Sequence, residues 1–339
     1  MRWSAIWQDG WPLVAPAAPE DLSRPLPGMT LCLECVMPPR SPRQALRLWQ
    51  GEGSGAVALY LTAEGALRLI HGELDLQTGA DFARAGETVL LHYRACARGR
   101  DDFALFRNAD RDIQQRLRAA IAHPVRARDA MPRDLRFLSI CHVAAIAPFG
   151  IGSPDLPGLS GDAPVATPDG PRPVSTLAAG DLVITETGTP QPLQWIEARP
   201  RLSLGRLAPV RLKAPYFGLR ADLIVTPQTR IQRTGPTVEY IFGEDAVLVR
   251  ARDLVGGPAA LHDRRAPVRQ VYHLMLDDRA CLRVDRCTVE TAALEDVVTA
   301  EGLAPRAGLG QTEADRLITL DRAGAQALAS ATLARRAAG

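Results

Sequence analysis

The segment Asp222–Ile231, DLIVTPQTRI, decides how the second half of this 339-residue chain is read. An apolar, β-branched run ends at Thr226-Pro227, and a second threonine, Thr229, follows three residues after the first. The same texture extends to both sides. From Val165 onward the chain is a series of short strand-like runs broken by Pro and Gly, the pattern of an all-β domain. Asp169-Gly170 is a turn pair between strands, and AAGD (Ala178–Asp181) is a tight turn ahead of the strand LVIT. Trp195, flanked by Leu193 and Ile196, reads as a core anchor. HLMLD, near the end of this region, reads as a further strand.

Four pieces carry a resemblance: VATPDGPRPVSTLAAGDLV (Val165–Val183), GTPQPLQWI (Gly188–Ile196), ADLIVTPQTRI (Ala221–Ile231) and VYHLMLDDRACLRVDRCTVET (Val271–Thr291). In that order they resemble the Hint family, the fold shared by Hedgehog autoprocessing domains and inteins, and in particular its bacterial branch. They span about 130 residues, within a Hint-like region read as 158–295. The resemblance implies self-processing, in which a Cys or Ser at the domain's first position attacks the carbonyl before it. An ester or thioester then replaces the amide. Such attack needs an activated nucleophile and a proton donor for the departing nitrogen. The family supplies that help from a Thr-x-x-His segment, often with a second histidine near the end.

This chain departs from the pattern at each chemical position. The family's Cys falls at Gly158, which has no side chain, and Ser160 lies two residues away. A nucleophile must adjoin its own scissile bond, so that offset matters. Thr226 matches the first residue of Thr-x-x-His, but Thr229 stands where the histidine belongs, and a hydroxyl does not titrate near neutral pH as imidazole does. Arg279, in DDR, stands where many relatives have His; a guanidinium keeps its proton. No terminal His-Asn follows, since residues 290–300 read ETAALEDVVTA, so no protein splicing is expected. No catalytic residue is expected intact; Gly158, Ser160, Thr226, Thr229 and Arg279 outline a vestigial pocket.

The first half also reads as strands. ALRLWQG and AVALYLTAEGALRLIHG alternate, with TAEG (Thr62–Gly65) as a hairpin turn, and ETVLLHYRACARGRDDFALFRN repeats the idea around CARGRD. One amphipathic helix is expected at DIQQRLRAAIA (Asp112–Ala122), and a further strand at RFLSICHVAAIA. The layout predicts an antiparallel β-sandwich, and it resembles, by strand pattern alone, the laminin-G or concanavalin-like sandwiches that bind glycans or protein surfaces. Trp3, Trp7 and Trp11 read as packing of a first hairpin, and His71 and His92 as satisfied structural histidines. The Pro/Gly-rich stretch PFGIGSPDLPGLSGDAP marks a linker at 148–164. The expected organisation is therefore mainly β: a sandwich at 1–147, that linker, a Hint-type domain at 165–300 and a helical tail at 301–339.

Composition excludes more than it identifies. The 40 Lys+Arg and 38 Asp+Glu leave a formal charge of +2, which offers no electrostatic case for nucleic acid. The basic run RARDAMPRDLR is interspersed with Asp129 and Asp134 and reads as solvated surface. No apolar run reaches the roughly 18 residues of a membrane span. The start MRWSAIWQDGW lacks a signal-peptide pattern, which fits a bacterial protein that is cytoplasmic or exported without such a signal. Cys32 and Cys35 form a lone C-x-x-C in an alternating run, where they face opposite sides. The six cysteines therefore read as buried thiols in a reducing compartment, with no metal or cofactor expected.

Three readings of function remain open at this point. One is a catalytically inactive structural or binding module. Another is slow self-cleavage with Ser160 as nucleophile, lacking the roughly 10² to 10⁴ in rate that acid–base help supplies. The last is glycan or surface binding through the N-terminal sandwich.

Overall fold

The computed structural model describes residues 2–53, 55–96, 102–121, 123–277, 280–293 and 317–337. It is mainly β, and it divides into two compact units, one built on Met1–Ser153 and the other on the chain from Pro154 onward.

The first unit pairs a seven-stranded antiparallel sheet with a four-stranded one. The larger sheet runs Ile113–Ala119, Asp102–Asn108, Thr88–Cys96, Gly28–Val36, Val143–Ala147, Ala5–Gln8, Trp11–Val14. The smaller is a meander of Leu46–Gln50, Val57–Leu61, Leu67–His71 and Leu74–Gln77. Alternation sends Leu31, Leu33, Leu91 and Phe106 of one sheet and Trp49, Leu59 and Leu69 of the other into a single core. Thr62–Gly65 makes the expected turn, with Gly65 at φ +76°. The CARGRD turn falls largely outside the described residues.

Several expectations for this unit need correction. Asp112–Ala122 is not a helix: Ile113–Ala119 is an edge strand antiparallel to Asp102–Asn108. Ile113 and Leu117 are four apart, a spacing that suits a strand face as well as a helix face. The cross-strand partners decide, with Arg107 donating to Gln114 at 2.8 Å. In RFLSICHVAAIA only Val143–Ala147 is strand, since Leu135–Ser139 forms a 3₁₀ turn. Cys35 is not a thiol; it is bonded to Cys141. Trp3 and Trp7 are buried, whereas Trp11 is 75% exposed on the sheet edge. His92 contacts Cys32 and the Ile151 carbonyl. His71 bonds Tyr93 through Nδ1, and its buried Nε2 has no hydrogen-bond partner among the described residues.

The second unit holds a six-stranded and a seven-stranded sheet around its own core. The six-stranded sheet runs Trp195–Leu202, Val268–Met275, Leu159–Ser160, Leu223–Val225, Val210–Leu212, Ala260–His262. The seven-stranded sheet ends on Ala246–Arg250, to which Ile318–Leu320 adds in parallel. So part of the C-terminal segment expected to be helical is strand. The helix Arg322–Ala337 follows it and packs Ala325 and Leu328 into the core with Leu320. The 148–164 stretch is not an exposed linker throughout: Leu156–Ser160 is buried, and Leu159–Ser160 sits mid-sheet. Its Gly and Pro serve close packing there, not looseness.

Candidate functional site

The site assembles where the short strand Leu159–Ser160 enters the sheet between Val268–Met275 and Leu223–Val225. Immediately before it lies the Pro157–Gly158 peptide, met by His273 from one flanking strand and by Thr226 and Thr229 from the turn that follows the other. Most of the assembly is buried, so its polar groups find their partners chiefly within the protein.

From one side come the two threonines of DLIVTPQTRI. The Gly158 N–H donates to Thr229 Oγ1 at 3.0 Å, and the Thr226 N–H donates to the Gly158 carbonyl at 2.9 Å. Thr226 and Thr229 hydroxyls are 2.9 Å apart, and Thr226 donates to the Leu156 carbonyl at 3.0 Å. Each hydroxyl has a single hydrogen. With Thr226's hydrogen on Leu156, Thr229's is shared between Thr226 and the Gly158 carbonyl, 3.1 Å away, whose oxygen also accepts from the Thr226 amide. Gly158 N–H, Thr229, Thr226 and the Leu156 carbonyl thus form one connected network. Toward the amide nitrogen Thr229 is an acceptor: it takes a hydrogen bond from the Gly158 N–H and offers none to that nitrogen.

From the other side comes His273, of HLMLD. It is fully buried, and its Nδ1 lies 2.7 Å from the Pro157 carbonyl oxygen. Arg201 fixes the tautomer: its guanidinium donates to Nε2 at 3.1 Å, so Nε2 accepts and Nδ1–H donates to the carbonyl. Burial first, then the Arg201 charge, holds the imidazole's pKa well below its ordinary value. The ring is neutral at physiological pH. A Cβ on Gly158 would lie 2.9 Å from both Nδ1 and Cε1 of His273 and 3.2 Å from the Thr226 methyl. The imidazole thus fills the space a nucleophilic side chain at residue 158 would need.

Ser160 is turned elsewhere. Its hydroxyl donates to Asp162 at 2.5 Å, and its backbone pairs with Val271. Arg279 lies outside the described residues. A polar cavity of about 250 Å³ reaches Pro157, walled by Gln228, Glu290, Thr319 and the Arg230 and Arg250 side chains. A second space of about 10 Å³ beside Gly158 and Leu274 has room for a single water. Among the described residues no three His, Cys, Asp or Glu side chains converge as metal ligands would. Cys281 and Cys287 are buried thiols whose pKa burial drives up, that of Cys287 to about 11, which suppresses thiolate chemistry.

The structure therefore brings together Gly158, Thr226 and Thr229 and leaves Ser160 aside. Sequence reasoning missed His273 and Arg201. The available signal was alternation: with Val271 inward on its strand, His273 must share that face.

The family model described as Hint domain matches residues 157–296, and this is a Hint domain-containing protein. No curated protein matches the chain.

Proposed function

We propose that the Hint domain of this protein is a non-catalytic structural or binding module. The observation that carries this reading is at residue 158: glycine stands in the nucleophile's place, and the imidazole of His273 occupies the volume beside it. His273 polarises the Pro157 carbonyl, but nothing next to that carbonyl can attack it. Thr229 gives the departing nitrogen an acceptor where an acyl shift needs a proton donor.

The test is the intact mass of the full chain over a day at neutral pH, with and without dithiothreitol or hydroxylamine, which intercept thioester or ester intermediates. A single species near 36.6 kDa is the expected result. A new terminus at Gly158 or Ser160 would sink the reading. The contact between Ser160 and Asp162 is the one feature that favours a second reading, in which the carboxylate activates the hydroxyl toward the Leu159–Ser160 bond. Fragments that vanish in Ser160→Ala would establish it.

A further inference from the structure

The basic run Arg126–Arg136, RARDAMPRDLR, does not spread over open surface. It borders two adjoining cavities of about 270 and 240 Å³ on the first unit, which share Gln50 and Arg133. Together they form a groove with Arg128 at one end and Arg47 and Arg136 at the other.

Its frame is rigid. The Arg133 N–H donates to the Gln50 carbonyl at 2.8 Å, and buried Trp49 donates to the Ala130 carbonyl at 3.1 Å. Gly51 lies so close to the 3₁₀ turn Ala127–Ala130 that a Cβ there would fall 1.8 Å from the Asp129 carbonyl oxygen. The strand end and the turn are thus locked before any ligand arrives, which lowers the cost of binding.

Charge in the groove is only half neutralised. Arg128 pairs with Glu52 at 3.3 Å and Arg136 with Asp134 at 2.9 Å. Among the described residues Arg133 and Arg47 have no carboxylate partner, and Arg47 lies over the Tyr60 ring at 5.3 Å. Two guanidinium forks are therefore available for planar, bidentate recognition of an anion. Glu52 and Asp134 beside them accept hydrogen bonds from hydroxyl groups, which a saccharide offers and a polyphosphate chain does not. No open aromatic face is offered for base stacking: Arg47 covers Tyr60, while Trp49 and Phe137 are buried.

We propose that this groove binds an acidic saccharide, a hydroxyl-rich ligand bearing carboxylate or sulfate groups. Arg133 and Arg47 take the anionic groups, and Glu52, Asp134 and Gln50 take the hydroxyls.

Titration calorimetry of the full chain tests this with four probes of equal length: oligogalacturonate, a heparin fragment, a neutral malto-oligosaccharide and a single-stranded DNA. Binding to either acidic saccharide is expected, and which of the two binds identifies the anionic group. Arg133→Ala and Arg47→Ala, both at exposed positions, should each weaken binding at least about tenfold with an unchanged melting temperature. Arg264→Ala removes the same charge on the other unit and should leave affinity unchanged. The proposal is overturned if neither acidic saccharide binds, if the neutral one binds as well, if DNA binds more tightly, or if Arg264→Ala costs as much as Arg133→Ala.

Discussion

Two peptide bonds two residues apart are held in different ways. Pro157–Gly158 is gripped by side chains, with His273 on its oxygen and Thr229 on its nitrogen. Leu159–Ser160 is held by the sheet: Leu159 pairs with both Val225 and Tyr272, and Ser160 with Val271. A ladder satisfies backbone groups without regard to chemistry, whereas a side-chain grip polarises the bond it holds. The difference teaches that polarisation alone is not catalysis. The gripped bond has its carbonyl donor but no neighbouring nucleophile, and the bond with a neighbouring hydroxyl has no such grip.

The comparison is most exposed to substitution at His273. His273→Leu leaves the buried Pro157 carbonyl without its donor and Arg201 without one acceptor. The expected loss is about 2–5 kcal/mol in denaturant unfolding; less than about 1 kcal/mol would mean that the grip contributes little. Acid should act in the same direction. Both His273 and His71 have folded pKa values depressed below the ordinary 6.5, His71 to about 4, through burial and then the Arg201 and His123 charges respectively. The unfolded chain binds more protons in that window, so stability is present above pH 6.5 and lost as pH falls toward 4. His71 alone accounts for about 3 kcal/mol by pH 4, read as a falling melting temperature that His71→Phe flattens.

Finer tests separate the two bonds directly. Thr229→Val should cost about 1–3 kcal/mol and speed hydrogen exchange at the Gly158 amide, leaving the Ser160 amide protected. Equal effects at both amides would erase the distinction between them. Gly158→Cys places a thiol against His273, so about 1–3 kcal/mol of overpacking is expected while the mass stays that of the intact chain. Cleavage in that variant would show that the imidazole yields the space. Ser160→Ala is the mildest, about 1 kcal/mol from the lost hydrogen bond to Asp162, with no change in mass.

How much of this was legible depended on how local the signal was. Turns announced themselves at Thr62–Gly65 and Asp169-Gly170 because Gly adopts φ values that other residues resist; Gly170 sits at +108°. Alternation over Val57–Leu61 and Leu67–His71 specified two arms of a hairpin. Edge strand Ile113–Ala119 was misread because one of its faces is solvated, so nothing but cross-strand partners distinguishes it from an amphipathic helix. Cys35 gave no hint of its partner, since Cys141 lies 106 residues away. At the site, Thr226 and Gly158 stood out through the motif that contains them. Arg201 and His273 are 72 residues apart, and their pairing exists only once Trp195–Leu202 lies beside Val268–Met275.

The strand Ile318–Leu320 has a practical corollary. The Hint match stops at residue 296, yet the seven-stranded sheet is completed only by this later segment, which covers Val247, Leu248 and Val249. A fragment cut at the family boundary would leave those three apolar residues beside a bare ladder of N–H and C=O groups, a template for intermolecular strand pairing. It would also strip Leu320, Ala325 and Leu328 from the core. The boundary at which this family is recognised is thus not the boundary at which this protein folds, and soluble expression should require the chain to run on through its final helix.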